Sequence, residues 1–354
     1  MGNFYITTLD RGPANGATTY IDRIYTLYIG IESSGPSSFV PRPKITRTRL
    51  MRAPEDKYLT GSAAAFNPTN SAAGLRFDPE GVRVGRCGHN LLVSDEYGPF
   101  IYEFNPRNGK RLRVLEIPTK YLIDLPSADP DTELANNLTG RQANRGMEGL
   151  AISPDGGKLY GIMQSPLLQD GALDDTGTRI GTNNRIVELD LASGAVRELL
   201  YPLDDRANGV SEILAINNHE FLVLERDGEA GNEAKFKRLF KIDISNATDI
   251  RALRQLPSTE IPQDVISVAK QPFLDFLNPK FGLAGESFPE KLEGLAFGPR
   301  LTDGRYLLIV TSDNDFERDQ PSRFFAFAID PQDLPDFESL MYHAADDEDC
   351  SASM

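Results

Sequence analysis

The chain has 354 residues, of which 52 are Asp or Glu and 37 are Lys or Arg, giving a formal charge of −15 at pH 7. A field of that sign repels polyphosphate, and nucleic-acid binding by counterion release needs clustered positive charge, so DNA and RNA are excluded as partners. The 40% hydrophobic content is enough for a sizeable core, and no run reaches the roughly 18 apolar residues that a membrane span requires.

In chain order, residues 3–11 read as the second strand of an incomplete repeat and 22–29 as its third. The first strand of that repeat is not in the sequence, so a strand and an export signal ahead of Met1 are expected. Four fuller units follow. Strands are predicted at 78–82, 90–96, 101–104 and 112–115, then at 147–152, 158–164, 185–189 and 196–200. The third unit has them at 211–216, 220–227 and 239–243, and the fourth at 292–297, 306–313 and 324–329. These segments are β-branched, Leu-rich or aromatic, and turn dipeptides such as Asn108-Gly109, Asp155-Gly156 and Ser193-Gly194 punctuate them. No segment sustains a helical period.

The intervals between units hold four short strands and their loops, and radial repetition is how such sheets bury both faces. The expectation is an all-β protein: a β-propeller of five to six four-stranded blades, the first incomplete, spanning residues 1–336. Residues 337–354, with Asp346-Asp347-Glu348-Asp349, read as a solvated acidic tail.

Chemistry is limited by what is scarce. Three histidines, two cysteines and no G-x-S-x-G elbow leave little for a histidine metal site, a Ser-His-Asp triad or a disulfide framework. His89 and His219 fall in turns between first and second strands. In an antiparallel hairpin, the start of the first strand and the end of the second share one end of the blade. Acidic residues occupy both places: Glu80, Glu148, Glu212 and Glu293 open the first strands. Asp95-Glu96, Gln164, residues 225–227 and Asp313-Asn314-Asp315 close the second ones, and Asp10-Arg11 closes the partial one.

One face should therefore carry a ring of carboxylates whose mutual repulsion a cation relieves. Oxygen donors without histidine or thiolate favour Ca²⁺, with Mg²⁺ or Mn²⁺ as alternatives. The expected ligands are Glu80, Asp95, Glu148, Glu212, Glu293, Asp313 and Asp315. The competing expectation is structural: each Glu accepts backbone amides of an adjacent blade, and the glycine after it permits a bulge. Arg145, in Asn144-Arg145-Gly146, has no counterpart in the other units and suits either an ion pair or a bidentate hold on a phosphoryl group.

Asp78-Pro79-Glu80-Gly81, Asp95-Glu96-Tyr97-Gly98-Pro99, Asn144-Arg145-Gly146-Met147-Glu148-Gly149-Leu150 and Lys291-Leu292-Glu293-Gly294-Leu295 resemble the bacterial phytase-like family, described as having esterase-like activity of phytase. Leu9-Asp10-Arg11-Gly12-Pro13, Leu224-Glu225-Arg226-Asp227-Gly228 and Thr311-Ser312-Asp313-Asn314-Asp315-Phe316 extend the resemblance over most of residues 3–330. It implies an exported protein, periplasmic or secreted, and a metal-dependent phosphoesterase acting on a small phosphate mono- or diester. Glu148, Arg145 and Arg226 would carry the catalysis, and a monomer is expected. The lysine-rich cleft of propeller phytases is not evident here, so phytate is not assigned as substrate. Two alternatives stand beside this reading: a metal-dependent lactonase or carboxylesterase, and a non-catalytic binding propeller stabilised by calcium.

Overall fold

A computed structural model of the chain describes residues 2–35, 38–86 and 88–340. Five antiparallel meanders stand around an axis as the blades of a β-propeller. Blade 1 holds β1 (Gly2–Thr8), β2 (Arg23–Gly35) and β3 (Ser38–Leu50). Blade 2 is β4 (Pro79–Val84), β5 (Leu91–Asp95), β6 (Ile101–Phe104) and β7 (Arg111–Leu115). Blade 3 is β8 (Met147–Ile152), β9 (Lys158–Met163), β10 (Asn183–Asp190) and β11 (Val196–Pro202). Blade 4 is β12 (Gly209–Ala215), β13 (Glu220–Arg226), β14 (Lys237–Asp243) and β15 (Ala269–Asp275), and blade 5 is β16 (Leu292–Phe297), β17 (Tyr306–Ser312) and β18 (Phe324–Ile329).

A blade's second strand is covered on both faces by its neighbours, so it needs apolar residues at successive positions rather than alternate ones. The Leu91-Leu92-Val93 run of β5 and Phe221-Leu222-Val223-Leu224 of β13 meet that need and are fully buried. Between blades 3 and 4, Tyr160, Ile162 and Ile186 pack on Ile213, Phe221 and Val223. Between blades 4 and 5, Leu222, Leu224 and Leu239 meet Leu295, Leu308 and Val310. Truncating any one of these side chains to Ala costs about 2–5 kcal/mol. The outermost strand β3 is exposed from Arg42 to Thr48. Its prolines and Lys44, Arg47 and Arg49 suit an edge that must not pair with another chain.

Among the described residues, blade 1 has three strands and β1 pairs only with β2. Its polarity places it in the blade. β4, β8, β12 and β16 start at the end of the ring where Glu80, Glu148 and Glu293 lie, whereas β1 runs toward that end and finishes at Asp10, as second strands do. In polarity and position β1 therefore corresponds to the second strand of the other blades.

At the other end of the chain, Phe337 packs on the rings of Phe297 and Tyr306, both at 4.5 Å between centroids. The rest of the acidic segment, residues 341–354, and Cys87 lie outside the described residues. Among the described residues, no helix is long and apolar enough to cross a membrane.

Candidate functional site

Each inner strand is interrupted by a β-bulge where its acidic motif stands. In β8 the pairing jumps from Met147↔Met163 to Gly149↔Ile162, and in β16 from Leu292↔Ser312 to Gly294↔Thr311. In β4 the jump falls between Pro79 and Val82. A bulged residue leaves the ladder and its side chain is re-aimed. Glu148, Glu293 and Glu80 accordingly line one pocket of about 200 Å³ at the acidic end of the axis.

Glu212 does not join them. In β12 the jump lies between Val210↔Glu225 and Glu212↔Leu224, so the extra residue is Ser211 and Glu212 sits in regular register. A one-residue slip sends every side chain to the opposite face. Ser211 lines the pocket in the place Glu148 takes one blade earlier. Glu212 instead accepts the amides of Leu150 and Ile213 and pairs with Arg83 at 2.9 Å, which is the structural role foreseen for such a glutamate. Asp95, also expected as a ligand, organises a turn by accepting the amides of Asp78, Tyr97 and Gly98.

Two carboxylate triplets form at the pocket and share Asp10: Asp10, Asp78 and Glu80, and Asp10, Asp313 and Asp315. In each triplet, one oxygen per residue lies within 4.8 Å of the others. Burial, and then the charges of Glu148, Asp78 and Asp10, push the Glu80 carboxyl well above its usual range. Burial followed by Glu96 and Glu293 does the same to Glu148. Burial followed by Asp78 raises Asp10, and burial followed by Glu293 and Asp10 lifts Asp313 to about 7. Glu148 Oε2 and Asp313 Oδ2 are buried without a hydrogen-bond donor. Oxygens up to 4.8 Å apart match opposite ligands of a cation bound at about 2.4 Å, and an all-oxygen donor set suits a hard divalent ion. The residues present fit such an ion.

The cations around these acids fall into two groups. Arg11 donates to Asp78 at 2.8 Å and to Glu96 at 3.2 Å, Arg226 pairs with Glu293 at 2.8 Å, and Lys291 pairs with Asp315. Arg226 is further fixed by Ser211 Oγ at 2.8 Å. Arg145 and Arg179 also line the pocket, but their bonds go to Ser165 Oγ and to the Ala207 carbonyl, and among the described residues no carboxylate lies within ion-pair distance of either. Burial and then its neighbour Arg179 lower the Arg145 pKa to about 10.

Local structure fixes that arginine. Asn144 takes a left-handed conformation (φ 53°), and Gly146 lies against the Glu96 backbone too closely for any side chain. Upstream, the short helix α1 (Pro130–Asn136), capped by Asp129, carries the buried Glu133 that pairs with Arg141 at 2.6 Å.

Of the residues singled out by sequence, the structure brings Glu80, Glu148, Glu293, Arg145 and Arg226 into the pocket and sets Asp313 and Asp315 beside it through Asp10. Glu212 and Asp95 lie outside it. The sequence sets Asp10 and Glu96 on the acidic ring without making them ligands, and it gives Asp78, Lys291 and Arg179 no role there.

Fold and site together define a five-bladed propeller with one acidic mouth holding paired and unpaired cations. Residues 2–316 match the model of the phytase-like family, esterase-like activity of phytase, and the chain belongs to that family. A protein of Arthroderma benhamiae described as an uncharacterized secreted protein is 29% identical over 263 residues, covering 60% of this chain and 50% of that protein, so the chain spans about half the length of that relative. Among solved structures, a putative 6-phosphogluconolactonase from Bacteroides uniformis aligns over 92% of this chain and 82% of its own, with 10% identity and a TM-score of 0.36. The glutaminyl cyclase of Myxococcus xanthus aligns over 92% and 97%, with 11% identity and a TM-score of 0.36. Likeness at that level carries no inference about chemistry.

Proposed function

We propose that the chain is a metal-dependent phosphoesterase, with calcium as the first candidate ion and magnesium or manganese as alternatives. One observation carries this reading: one pocket sets the oxygen cluster of Asp10, Asp78 and Glu80 beside two arginines, Arg145 and Arg179, that have no carboxylate within ion-pair distance among the described residues. Acids that need a cation and cations that need an anion face the same space, which suits a phosphate bridged to a metal ion.

Asp10, Asp78 and Glu80 would hold the ion, with Asp313 and Asp315 able to hold a second. Bound there, the ion would polarise a phosphoryl oxygen and make a water more acidic. Arg145 and Arg179 bind the remaining phosphoryl oxygens and stabilise the charge that builds on them. Glu148, whose Oε2 has no hydrogen-bond donor, would take a proton from the attacking water once a bound ion offsets the neighbouring carboxylates; as the water oxygen bonds to phosphorus, the P–O bond to the ester oxygen breaks and that oxygen leaves with a proton from solvent. Arg226, locked between Ser211 and Glu293, positions the latter. The secreted relative supports an exported, periplasmic or extracellular setting for this activity.

The test is turnover of nitrophenyl phosphate mono- and diesters by the chelated protein, and again after restoring Ca²⁺, Mg²⁺ or Mn²⁺, with carboxyl esters and lactones in the same panel and Tm followed in parallel. Phosphate-ester turnover that disappears and returns with one ion supports the reading. Turnover confined to carboxyl esters or lactones, or a metal-dependent Tm without turnover, rejects it.

A further inference from the structure

The two carboxylate triplets at the mouth differ in what already faces them. At the first, Asp10, Asp78 and Glu80, the planar Arg11 guanidinium is locked to Asp78 at 2.8 Å, Glu96 at 3.2 Å and Asp10 at 3.5 Å. Glu80 itself takes no hydrogen bond or ion pair among the described residues. At the second, Asp10, Asp313 and Asp315, the Lys291 ammonium pairs with Asp315 and stands 3.9 Å from Asp10 Oδ2. An ammonium is a compact point charge on a flexible stem, closer in form to a bound metal ion than a guanidinium is.

The acids of the second triplet do not owe their placement to that lysine side chain. Asp315 (φ 49°) and Phe316 (φ 59°) both take left-handed conformations, which such side chains adopt only where the surroundings hold them. Phe316 rests edge-on against the Tyr20 ring at 5.0 Å, and the Asn314 side chain donates to the carbonyls of Glu317 and Gln320 at 3.2 and 2.8 Å. Asp313 is fixed through its backbone, its amide donating to the Lys291 carbonyl at 3.1 Å, and its Oδ2 is buried without a donor. Without the ammonium, three carboxylates would still converge, and Arg11 beside Asp10 would be the one cation within ion-pair distance among the described residues.

We propose that the Lys291 ammonium is a tethered cation that holds the place of a second divalent ion in the Asp10, Asp313 and Asp315 triplet, which takes such an ion only when the lysine swings out. Two cations a few ångströms apart repel, so the lysine sets the affinity of this triplet and makes the two sites unequal. The inference rests on the reading that the mouth binds a hard divalent cation, and it does not need turnover.

The probe is calcium alone, titrated into the metal-free full chain by calorimetry, with stoichiometry from equilibrium dialysis. The parent protein should bind one ion and take a second at least tenfold more weakly. Lys291→Met and Lys291→Gln, each checked for folding by circular dichroism, should bind that second ion at least tenfold more tightly than the parent, and calcium should raise their Tm by more. Adding Asp315→Ala to Lys291→Met should remove the gain. Calcium binding unchanged in both lysine variants, or a gain that survives Asp315→Ala, would overturn the proposal. The phosphoesterase reading is judged separately: a calcium gain in the lysine variants beside a parent that turns over no phosphate ester upholds the tethered cation and rejects that chemistry, and turnover without the gain does the reverse.

Discussion

The Gly149 Cα faces the Ile213 amide so closely that a methyl group on it would stand 2.8 Å from that nitrogen. Blades 3 and 4 thus touch backbone to backbone near the axis, and the contact tolerates no side chain. Gly149→Ala and Gly81→Ala should each lower stability by about 1–3 kcal/mol, because a rigid neighbouring strand must shift. Thermal melts should show both variants unfolding several degrees early. At Gly294 the nearest atom is the Thr311 hydroxyl oxygen, which a χ1 rotation moves aside, so Gly294→Ala should cost less than half as much.

Glu148 and Glu212 belong to the same sequence motif and should respond oppositely to substitution. Glu148→Gln keeps the size of the side chain, removes its charge from a crowded acidic site, and should reduce kcat at least 100-fold while holding or raising the Tm of the metal-free protein. Glu212→Ala strips Arg83 of its buried partner and should cost about 3 kcal/mol or more. Its specific activity per folded molecule should change little. Steady-state kinetics beside circular dichroism melts separate the two outcomes.

Arg145 and Arg179, which have no carboxylate within ion-pair distance among the described residues, give a third expectation. A charge-assisted hydrogen bond is worth about 1.5–3 kcal/mol, so Arg145→Ala should weaken competitive inhibition by inorganic phosphate about 10- to 100-fold. Arg179→Ala should act in the same direction. Neither should lower Tm, since neither removes an ion pair.

Acidity enters through carboxyls whose folded pKa is raised. Burial is the leading cause for Asp95 and for Asp313, both lifted to about 7, and for Asp22, which lies higher than usual with both oxygens buried and without a hydrogen bond. Such groups bind protons more tightly folded than unfolded. Their contribution to stability is complete below about pH 4 and drains away as pH rises through 7. Metal-free protein should therefore melt at progressively lower temperature between pH 4.5 and 7.5, on the order of 1.4 kcal/mol per pH unit for each group that titrates fully. Asp22→Asn should flatten part of that slope, and saturating calcium should flatten more of it by acting on Asp313. A Tm that rises with pH in the chelated protein would contradict this account.

How far the sequence foretold this structure depended on how local each signal was. The strands of blades 2 to 5 were legible because their apolar runs and turn dipeptides are local, and the polarity of β1 followed from Asp10-Arg11 sitting at its end. Glu80, Glu148 and Glu293 were legible as a converging set because each is followed by glycine at a bulge. Glu212 carries Ile213 in that place, and this was the one visible sign that its bulge had moved back to Ser211. Glu148 and Glu212 each stand two residues before a Leu-Ala-Ile run, at 150–152 and 214–216, so alignment on the leading glutamates conceals the slip. Lys291 stands two residues before Glu293 and Arg145 three before Glu148, so the two cations share no fixed spacing that marks them in the sequence. Arg179 had no signal at all: it lies in the long connection between β9 and β10, and only tertiary folding brings it to the axis.

Contact between neighbouring blades is spread unevenly around the axis. Blades 1 and 5 meet through Tyr5, Leu27 and Ile29 against Leu307 and Ile309, whereas the inner strands touch directly, β4 against β8 and β8 against β12. A blade held on both sides by inner-strand contacts needs both seams opened before it is released. Among the described residues, blade 3, with β8 between β4 and β12, should therefore be the last to lose its amide protection.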